Sequence, residues 1–205
     1  MLAALTGAGL SAAAGLNAFI PFVLVGMLAR FTDLLDLPSG LEWIDSWWAI
    51  GAGMLLLVVD VVFDKVPGVD HVSDLLQTAV RPLMGGVMFA AASGAAHLEQ
   101  SDWWRENPWV GAAIGAVLAG TVHAGKALSR PIVNAGTFGF GAPFVSAAED
   151  ATSATVSILA ILLPVLIILV LIVIGVVLWR ILRARRRFLA RRAGNSGPAQ
   201  GAPQA

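Results

Sequence analysis

The chain has 205 residues, of which 58% are hydrophobic and only 13% are charged; 13 basic and 13 acidic side chains give a formal net charge of zero. An ordinary soluble domain carries about 25% charged residues, so the composition excludes a typical soluble enzyme and predicts a polytopic membrane protein. The absence of cysteine excludes disulfides, thiolate catalysis and cysteine-ligated metal sites.

Five apolar segments are long enough to predict membrane-spanning helices. About 20 apolar residues cross a hydrocarbon core of about 30 Å as a helix. The segments comprise residues 5–29, 47–63, 82–97, 109–126 and 156–182. The third is short and rich in small residues, which is also typical of a re-entrant or protein-buried helix. The expected fold class is therefore an all-α membrane protein of about five transmembrane helices, some of them broken or re-entrant.

The arginines after the last segment predict the orientation and the domain organisation. Residues 1–184 form the predicted membrane domain, and residues 185–205 form a tail that is first basic and then disordered. Such a cluster stays on the cytoplasmic side of a cell inner membrane and binds anionic lipid headgroups. The lipid-binding residues predicted are Arg183, Arg185, Arg186, Arg187, Arg191 and Arg192. The short loops favour the opposite orientation, but seven arginines between positions 180 and 192 outweigh their few charges.

The order of the segments also predicts a weak internal repeat of helix pairs. In each copy a small-residue helix precedes an acidic loop with tryptophans, a helix that ends near a lysine, and an Arg-Pro pair. The two pairs are Arg81-Pro82 and Arg130-Pro131. All seven tryptophans stand near span ends, as in an interfacial belt. Chance similarity between small apolar residues is the alternative explanation of the repeat.

Two segments have the composition of discontinuous helices. Asn17 and Pro21 interrupt residues 5–29, because an amide side chain and a proline both disturb the backbone hydrogen-bond ladder. Residues 130–143 contain Asn134 and three glycines. Irregular backbone at membrane depth is tolerated only beside protein or a water-filled cavity, so both breaks indicate a lined site. For the second break, an aqueous loop is the alternative.

Ionisable side chains within or beside the spans are the candidate functional residues. Asp60 lies four residues before Asp64 on one helical face, and a carboxylate in a span normally faces a cavity or a partner. Alternatively, Asp60 reaches the interface or pairs with Lys65. His123 holds a similar place in the second copy of the repeat, where a proton relay and an interfacial hydrogen bond are both open. The predicted polar pathway comprises Asn17, Asp60, Asp64, Lys65, Arg81, His123, Arg130 and Asn134.

Two further polar stretches carry weaker signals. Residues 64–74 are either a solvated loop or a site, in which Asp70, His71 and Asp74 are weak candidates for a divalent cation. Glu149 and Asp150 are interpreted as part of an N-terminal cap of the last span. No nucleotide-binding loop, hydrolase elbow or zinc-protease motif is present, so we predict no catalytic residues, no cofactor and no enzymatic activity.

Four motifs, in order, resemble one bacterial membrane family. They are GLSAAAGLNAFIP at residues 9–21, DKVPGVD at 64–70, the Arg81-Pro82 pair, and PFVSAAED at 143–150. The family is the one catalogued as domain of unknown function 4126, and the resemblance covers about residues 5–182. It implies an integral membrane domain, and it supplies no activity and no functional residues.

The leading hypothesis is a small transporter or channel whose broken segments and charges line a polar path for a cation, a proton, or an anionic or lipid-phosphate solute. The alternative is a non-transporting membrane scaffold with a lipid-binding basic tail. Small-residue helix faces predict a homo-oligomer in the lipid bilayer, and nucleic acid is not an expected partner.

Overall fold

The computed structural model describes residues 2–63, 70–93, 107–137 and 141–195, and every regular element in these ranges is a helix. Short 3-10 helices, Glu42–Asp45 and Pro164–Leu166, precede α3 and α7. The α-helices are α1 (Leu2–Leu16), α2 (Phe19–Phe31), α3 (Trp47–Phe63), α4 (Asp70–Ser93), α5 (Pro108–Thr137), α6 (Ala142–Leu162) and α7 (Ile167–Asn195). The all-α prediction is confirmed for these ranges.

Helix α1 lies at the centre of the molecule and packs against α4, α5 and α6. Ten of its fifteen residues are buried, most of them Ala, Gly, Ser or Thr. Small side chains allow helix backbones to approach closely, which is the usual packing between helices in a membrane. Helix α6 is antiparallel to α1, since Ala160 lies beside Gly9 and Ser153 beside Ala13. The end of α1 is therefore surrounded by three helices.

Two antiparallel helix pairs complete the fold. Helix α4 packs along α5, and a Cβ added to Gly86 would lie 2.8 Å from the carbonyl oxygen of Ala112. Helix α2 packs along α3, with Gly53 against Phe22. The pairing of α2 with α3 brings the end of α3, which carries Asp60, back to the junction of α1 and α2.

Among the described residues, three helical segments are long and apolar enough to cross a membrane. They are Trp109–Ser129, Pro143–Leu162 and Pro164–Arg183, and only 6% of the last one is buried. Helices α1, α2 and α3 are apolar but shorter. These features are consistent with a membrane protein, and they do not confirm the predicted number of five spans.

The predicted last span, residues 156–182, begins too early, because the candidate span there is Pro164–Arg183 and residues 156–162 belong to the preceding helix. Helix α6 ends at Leu162, and Pro164 begins a 3-10 turn that leads into α7. Proline lacks the N–H that would continue the ladder and disfavours a helical conformation of the preceding residue, Leu163. The predicted cap at Glu149 and Asp150 is also wrong, because both residues lie inside α6.

The second predicted helix break, at residues 130–143, is wrong for residues 130–137. Helix α5 continues through Arg130 and Pro131 to Thr137, and residues 138–140 lie outside the described residues. A proline removes one hydrogen-bond donor, and a long helix keeps its other bonds. Helix α4 similarly begins at Asp70, twelve residues before the segment predicted there, and contains Pro82.

The internal repeat is not confirmed. The small-residue helix of the first copy is interrupted between α1 and α2, whereas its counterpart lies in α4, which is continuous to Ser93. The predicted placement of the tryptophans agrees with the structure better than the repeat does. Trp43, Trp47, Trp48 and Trp109 are exposed near helix ends, and Trp179 is exposed near the end of the candidate span Pro164–Arg183. Trp103 and Trp104 lie outside the described residues.

Candidate functional site

The break between α1 and α2 is produced by the side chain of Asn17. Its Oδ1 accepts hydrogen bonds from the backbone N–H groups of Phe19, at 3.0 Å, and Ile20, at 3.2 Å. In an uninterrupted helix these N–H groups would bond to the carbonyls of Gly15 and Leu16. Pro21 supplies no N–H for the carbonyl of Asn17. Asn17 therefore starts α2 and deprives the last carbonyls of α1 of their helical partners.

Two cationic side chains bind the carbonyls that α1 leaves open. Arg81 of α4 donates to the carbonyl of Gly15 at 3.0 Å and also to that of Leu16. Lys126 of α5 donates to the carbonyl of Leu16 at 3.3 Å. The C-terminal end of a helix carries partial negative charge, so positive groups are stabilised there. Arg81 has no exposed surface, and it also donates to the side chain of Gln77.

The amide nitrogen of Asn17 joins carboxylates from two other helices. It donates to Asp60 of α3 at 3.1 Å and to Asp150 of α6 at 2.9 Å. Gln77 of α4 donates to the second oxygen of Asp60. Because Oδ1 of Asn17 faces backbone N–H groups and its nitrogen faces carboxylates, the orientation of the amide is fixed by its partners.

An ion pair between α5 and α6 lies beside these hydrogen bonds. Nζ of Lys126 lies 2.9 Å from Oε2 of Glu149 on α6, and the two side chains are 2% and 14% exposed. Ser153, one turn later on α6, donates to the carbonyl of Ala13 at 2.9 Å. Buried charge is tolerated when it is paired with an opposite charge, as Lys126 and Glu149 are.

We call this group of side chains the junction network. It consists of Asn17, Asp60, Gln77, Arg81, Lys126, Glu149, Asp150 and Ser153. All helices from α1 to α6 meet in it. Three of its members are carboxylates and two are cations, so with all five ionised the network carries one excess negative charge. Lys126, Glu149 and Asp150 lie inside segments that could cross a membrane.

The structure brings together only part of the predicted pathway. Asn17, Asp60 and Arg81 lie together in the junction network. His123 is buried on α5, where its Nε2 lies 3.1 Å from the hydroxyl of Thr78. That contact joins α5 to α4.

The other predicted site residues are not placed with their side chains. Asp64 and Lys65 lie outside the described residues. Arg130 and Asn134 belong to α5, and Asp70, His71 and Asp74 belong to α4, each described by its backbone alone. The predicted divalent-cation site thus falls outside the described side chains. Among the described residues, no group of three or more His, Cys, Asp or Glu side chains could hold a metal ion.

Sequence reasoning missed Gln77, Lys126, Glu149, Asp150 and Ser153 as site residues. One signal for part of this set was available. Ser146, Glu149, Asp150, Ser153 and Ser157 recur at helical spacing on α6, which indicates a polar stripe along one face. Interpreting the two acids as a helix cap concealed that stripe.

The comparisons with known proteins identify a family and no activity. Neither a curated protein nor a solved structure matches the chain. The model of the family described as Domain of unknown function (DUF4126) matches residues 4–184. This range covers all helices of the junction network and most of the chain. The resemblance seen in the four sequence motifs is therefore confirmed, and the chain belongs to the DUF4126 family.

Proposed function

We propose that the protein is a small membrane transporter for a monovalent cation or proton, with the junction network as its polar site. The observation that carries the proposal is the broken helix at Asn17, whose last carbonyls bind Arg81 and Lys126. Lys126, Glu149 and Asp150 beside the break lie in candidate membrane spans. Transporters commonly bind ions where a helix is interrupted, because the free backbone groups can replace the water around an ion.

The charge balance favours a cation or a proton over an anion. Arg81 and Lys126 both donate to backbone carbonyls, and Lys126 also pairs with Glu149. The carboxylates of the network outnumber these two cations by one. The carbonyl end of α1 adds partial negative charge. A phosphate or other anion would have to displace these contacts, so the cationic solute is the better fit among the solutes considered.

Proteoliposome flux tests the proposal. Purified protein is reconstituted, and uptake of Na⁺, K⁺ and protons is measured with and without a pH gradient. We expect flux for at least one of these ions, and a decrease of at least about tenfold in Asp60→Asn and Asp150→Asn, because each change removes a carboxylate from the polar site. Asp33→Asn is the matched control, since Asp33 is exposed in the loop before α3.

Two outcomes would contradict the proposal. Protein that is folded but moves none of the ions has no such function. Equal flux in the wild type and both network variants would place the path elsewhere. Anionic lipid and phosphate, tested in parallel, decide whether an anion is carried instead.

The protein is further proposed to lie in the cell inner membrane as a homo-oligomer, with its C-terminal segment in the cytoplasm. Three candidate spans and the small-residue packing of the helices support this placement. Seven arginines after residue 179 favour the cytoplasmic side. Crosslinking in native membranes measures the oligomeric state.

The second candidate is a non-transporting scaffold that binds anionic lipid through its basic segment. The observation that favours it is that α7 continues from an apolar segment through the arginines to Asn195. Removal of residues 183–205 should then abolish a preference for vesicles that contain phosphatidylglycerol. Retention of that preference would contradict the scaffold function.

A further inference from the structure

Lys126 is held by the kinds of ligand that bind small cations in proteins. Its ammonium nitrogen lies 2.9 Å from a carboxylate oxygen of Glu149 and 3.3 Å from the carbonyl oxygen of Leu16. The lysine side chain is only 2% exposed. Carboxylate and backbone carbonyl oxygens are also the ligands that hard cations prefer.

The carbonyl of Leu16 is available because of the helix break. Asn17 takes the N–H of Ile20, which would otherwise bond to Leu16. The same carbonyl also accepts a hydrogen bond from Arg81, which donates to the carbonyl of Gly15 as well. Arg81 thus fixes the end of α1 from the α4 side, and Lys126 occupies the side that faces Glu149 on α6.

We propose that the oxygens around the Lys126 ammonium form the cation-binding site of the transporter. A small monovalent cation, either an alkali ion or a primary ammonium, binds the carboxylate of Glu149 and the carbonyl of Leu16 when Lys126 leaves them. This inference rests on the proposed function and deepens it. We call these two groups the lysine-binding oxygens.

The cation and the lysine exclude each other at the lysine-binding oxygens. Two positive charges on the same ligands repel strongly in a buried, poorly polarisable environment. The network also includes Arg81 from α4 and the carboxylates of Asp60 and Asp150 from α3 and α6, so one positive charge at this position leaves the overall balance unchanged. Lys126 therefore acts as a tethered substitute for the carried ion.

Two substitutions of Lys126 distinguish the role of its ammonium group from that of its alkyl chain, which we call the stem. Lys126→Met keeps an apolar stem of similar length and removes only the ammonium group, leaving room for an ion. Lys126→Ala also removes the stem, leaving room for propylammonium. We expect Na⁺ or K⁺ to stabilise both variants, and propylammonium to stabilise only Lys126→Ala.

The measurement is thermal unfolding of the full chain in detergent, in choline chloride buffer at constant ionic strength, with Na⁺, K⁺ or propylammonium replacing choline. A ligand that binds only the folded state raises Tm in a saturable way, by about 5 to 10 °C at a hundredfold excess over its Kd. We expect this rise in the two variants and not in the wild type, whose site contains the ammonium.

Two controls make the test specific. Lys126→Met combined with Glu149→Gln should lose the rise, because one of the two ligands is then neutral. Arg180→Ala, which removes an exposed cation, should show no rise at all. Tetramethylammonium, which has no N–H donors and is large, should not replace Na⁺ or K⁺.

The proposal is overturned by folded Lys126 variants with no saturable rise, or by an equal rise with tetramethylammonium. It also fails if neither variant can be recovered folded with all the small cations present, because a bound cation should replace the missing charge. Binding is measured without transport, so the two proposals fail separately. Cation binding without flux contradicts the transport function, and flux without cation binding contradicts this site.

Discussion

Asn17 uses its whole hydrogen-bonding capacity at the junction of α1 and α2. Its oxygen accepts two backbone N–H groups, and its nitrogen donates to Asp60 and Asp150. The side chain is 1% exposed, so water cannot replace a lost partner without rearrangement. A single residue thereby determines both the interruption of the helix and the position of two carboxylates.

Replacement of Asn17 by alanine should destabilise the protein. The change leaves two N–H groups and two carboxylate oxygens without these partners, and we expect the free energy of unfolding to fall by about 2–4 kcal/mol. Asn17→Asp keeps the acceptor for α2 but brings a third carboxylate beside Asp60 and Asp150, so its Tm should be lower at pH 8 than at pH 5. Thermal unfolding in detergent at the two pH values measures both. An equal Tm for Asn17→Ala and the wild type would contradict this role.

Arg81 should not tolerate lysine, although the charge is the same. The guanidinium reaches two backbone carbonyls and the side chain of Gln77, and a lysine ammonium lacks this fork geometry. We expect Arg81→Lys to lose about 2–4 kcal/mol of folding free energy, because buried polar groups lose partners. Denaturation in mixed micelles measures the loss. Arg180→Lys, at an exposed position, should leave stability unchanged.

At the scale of the elements, close contacts between glycine-bearing helix faces hold the site together. A Cβ on Gly15 would lie 2.5 Å from the carbonyl oxygen of Ala119, so the end of α1 touches the backbone of α5. This approach brings the carbonyl of Leu16 to Lys126. The α4–α5 contact depends in the same way on Gly85 and Gly115.

Gly115→Ala should destabilise the pair of α4 and α5. The added methyl would lie 2.6 Å from Cβ of Phe89 and 2.9 Å from the hydroxyl oxygen of Ser11, so backbone must shift. Overpacking of this kind costs about 1–3 kcal/mol, which should appear as a lower Tm. Gly51→Ala on α3 is the matched control, because nothing lies within 4 Å of the added Cβ. If both substitutions had the same effect, close packing at Gly115 would not be the cause.

At the scale of the whole molecule, the main feature is the exposed apolar surface of α7. Only 6% of Pro164–Arg183 is buried, and its aliphatic side chains are exposed on several sides. Exposed apolar patches of this size are rare on soluble monomers, so the helix is consistent with a membrane protein. Arg183 stacks on Trp179, with its guanidinium 5.1 Å from the ring, as at a membrane interface.

Single cysteines should report the position of α7, because the natural chain contains none. We expect Arg186→Cys to react with a membrane-impermeant maleimide only when the cytoplasmic face is accessible, as in inverted vesicles. Gly175→Cys, eleven residues earlier on the same helix, should not react from either side, because hydrocarbon surrounds it. Rapid labelling of Gly175→Cys would contradict a transmembrane α7, and labelling of Arg186→Cys in intact cells would reverse the orientation.

The sequence by itself determined the helical class, the exposed tryptophans and the helix break at Asn17. These follow from local properties, namely composition, apolar length and the effect of an amide and a proline on the backbone ladder. The same local rules misjudged Pro131, which α5 accommodates, and Pro164, which divides the last segment. A proline has the same chemistry in both places, and the packing of neighbouring helices decides whether the helix continues.

Only the tertiary structure decided which polar residues form the site. Lys126 and Glu149 are 23 positions apart and had separate interpretations as a span end and a cap, yet they form a buried ion pair. The close approach of α1, α5 and α6 through small residues creates this pair and gives it the carbonyl of Leu16. Hydropathy and spacing record which residues are apolar or charged along one helix, whereas the partner of a buried charge depends on which helix lies beside it. The fold class is therefore a local property of this chain, and its candidate site is a property of the packed molecule.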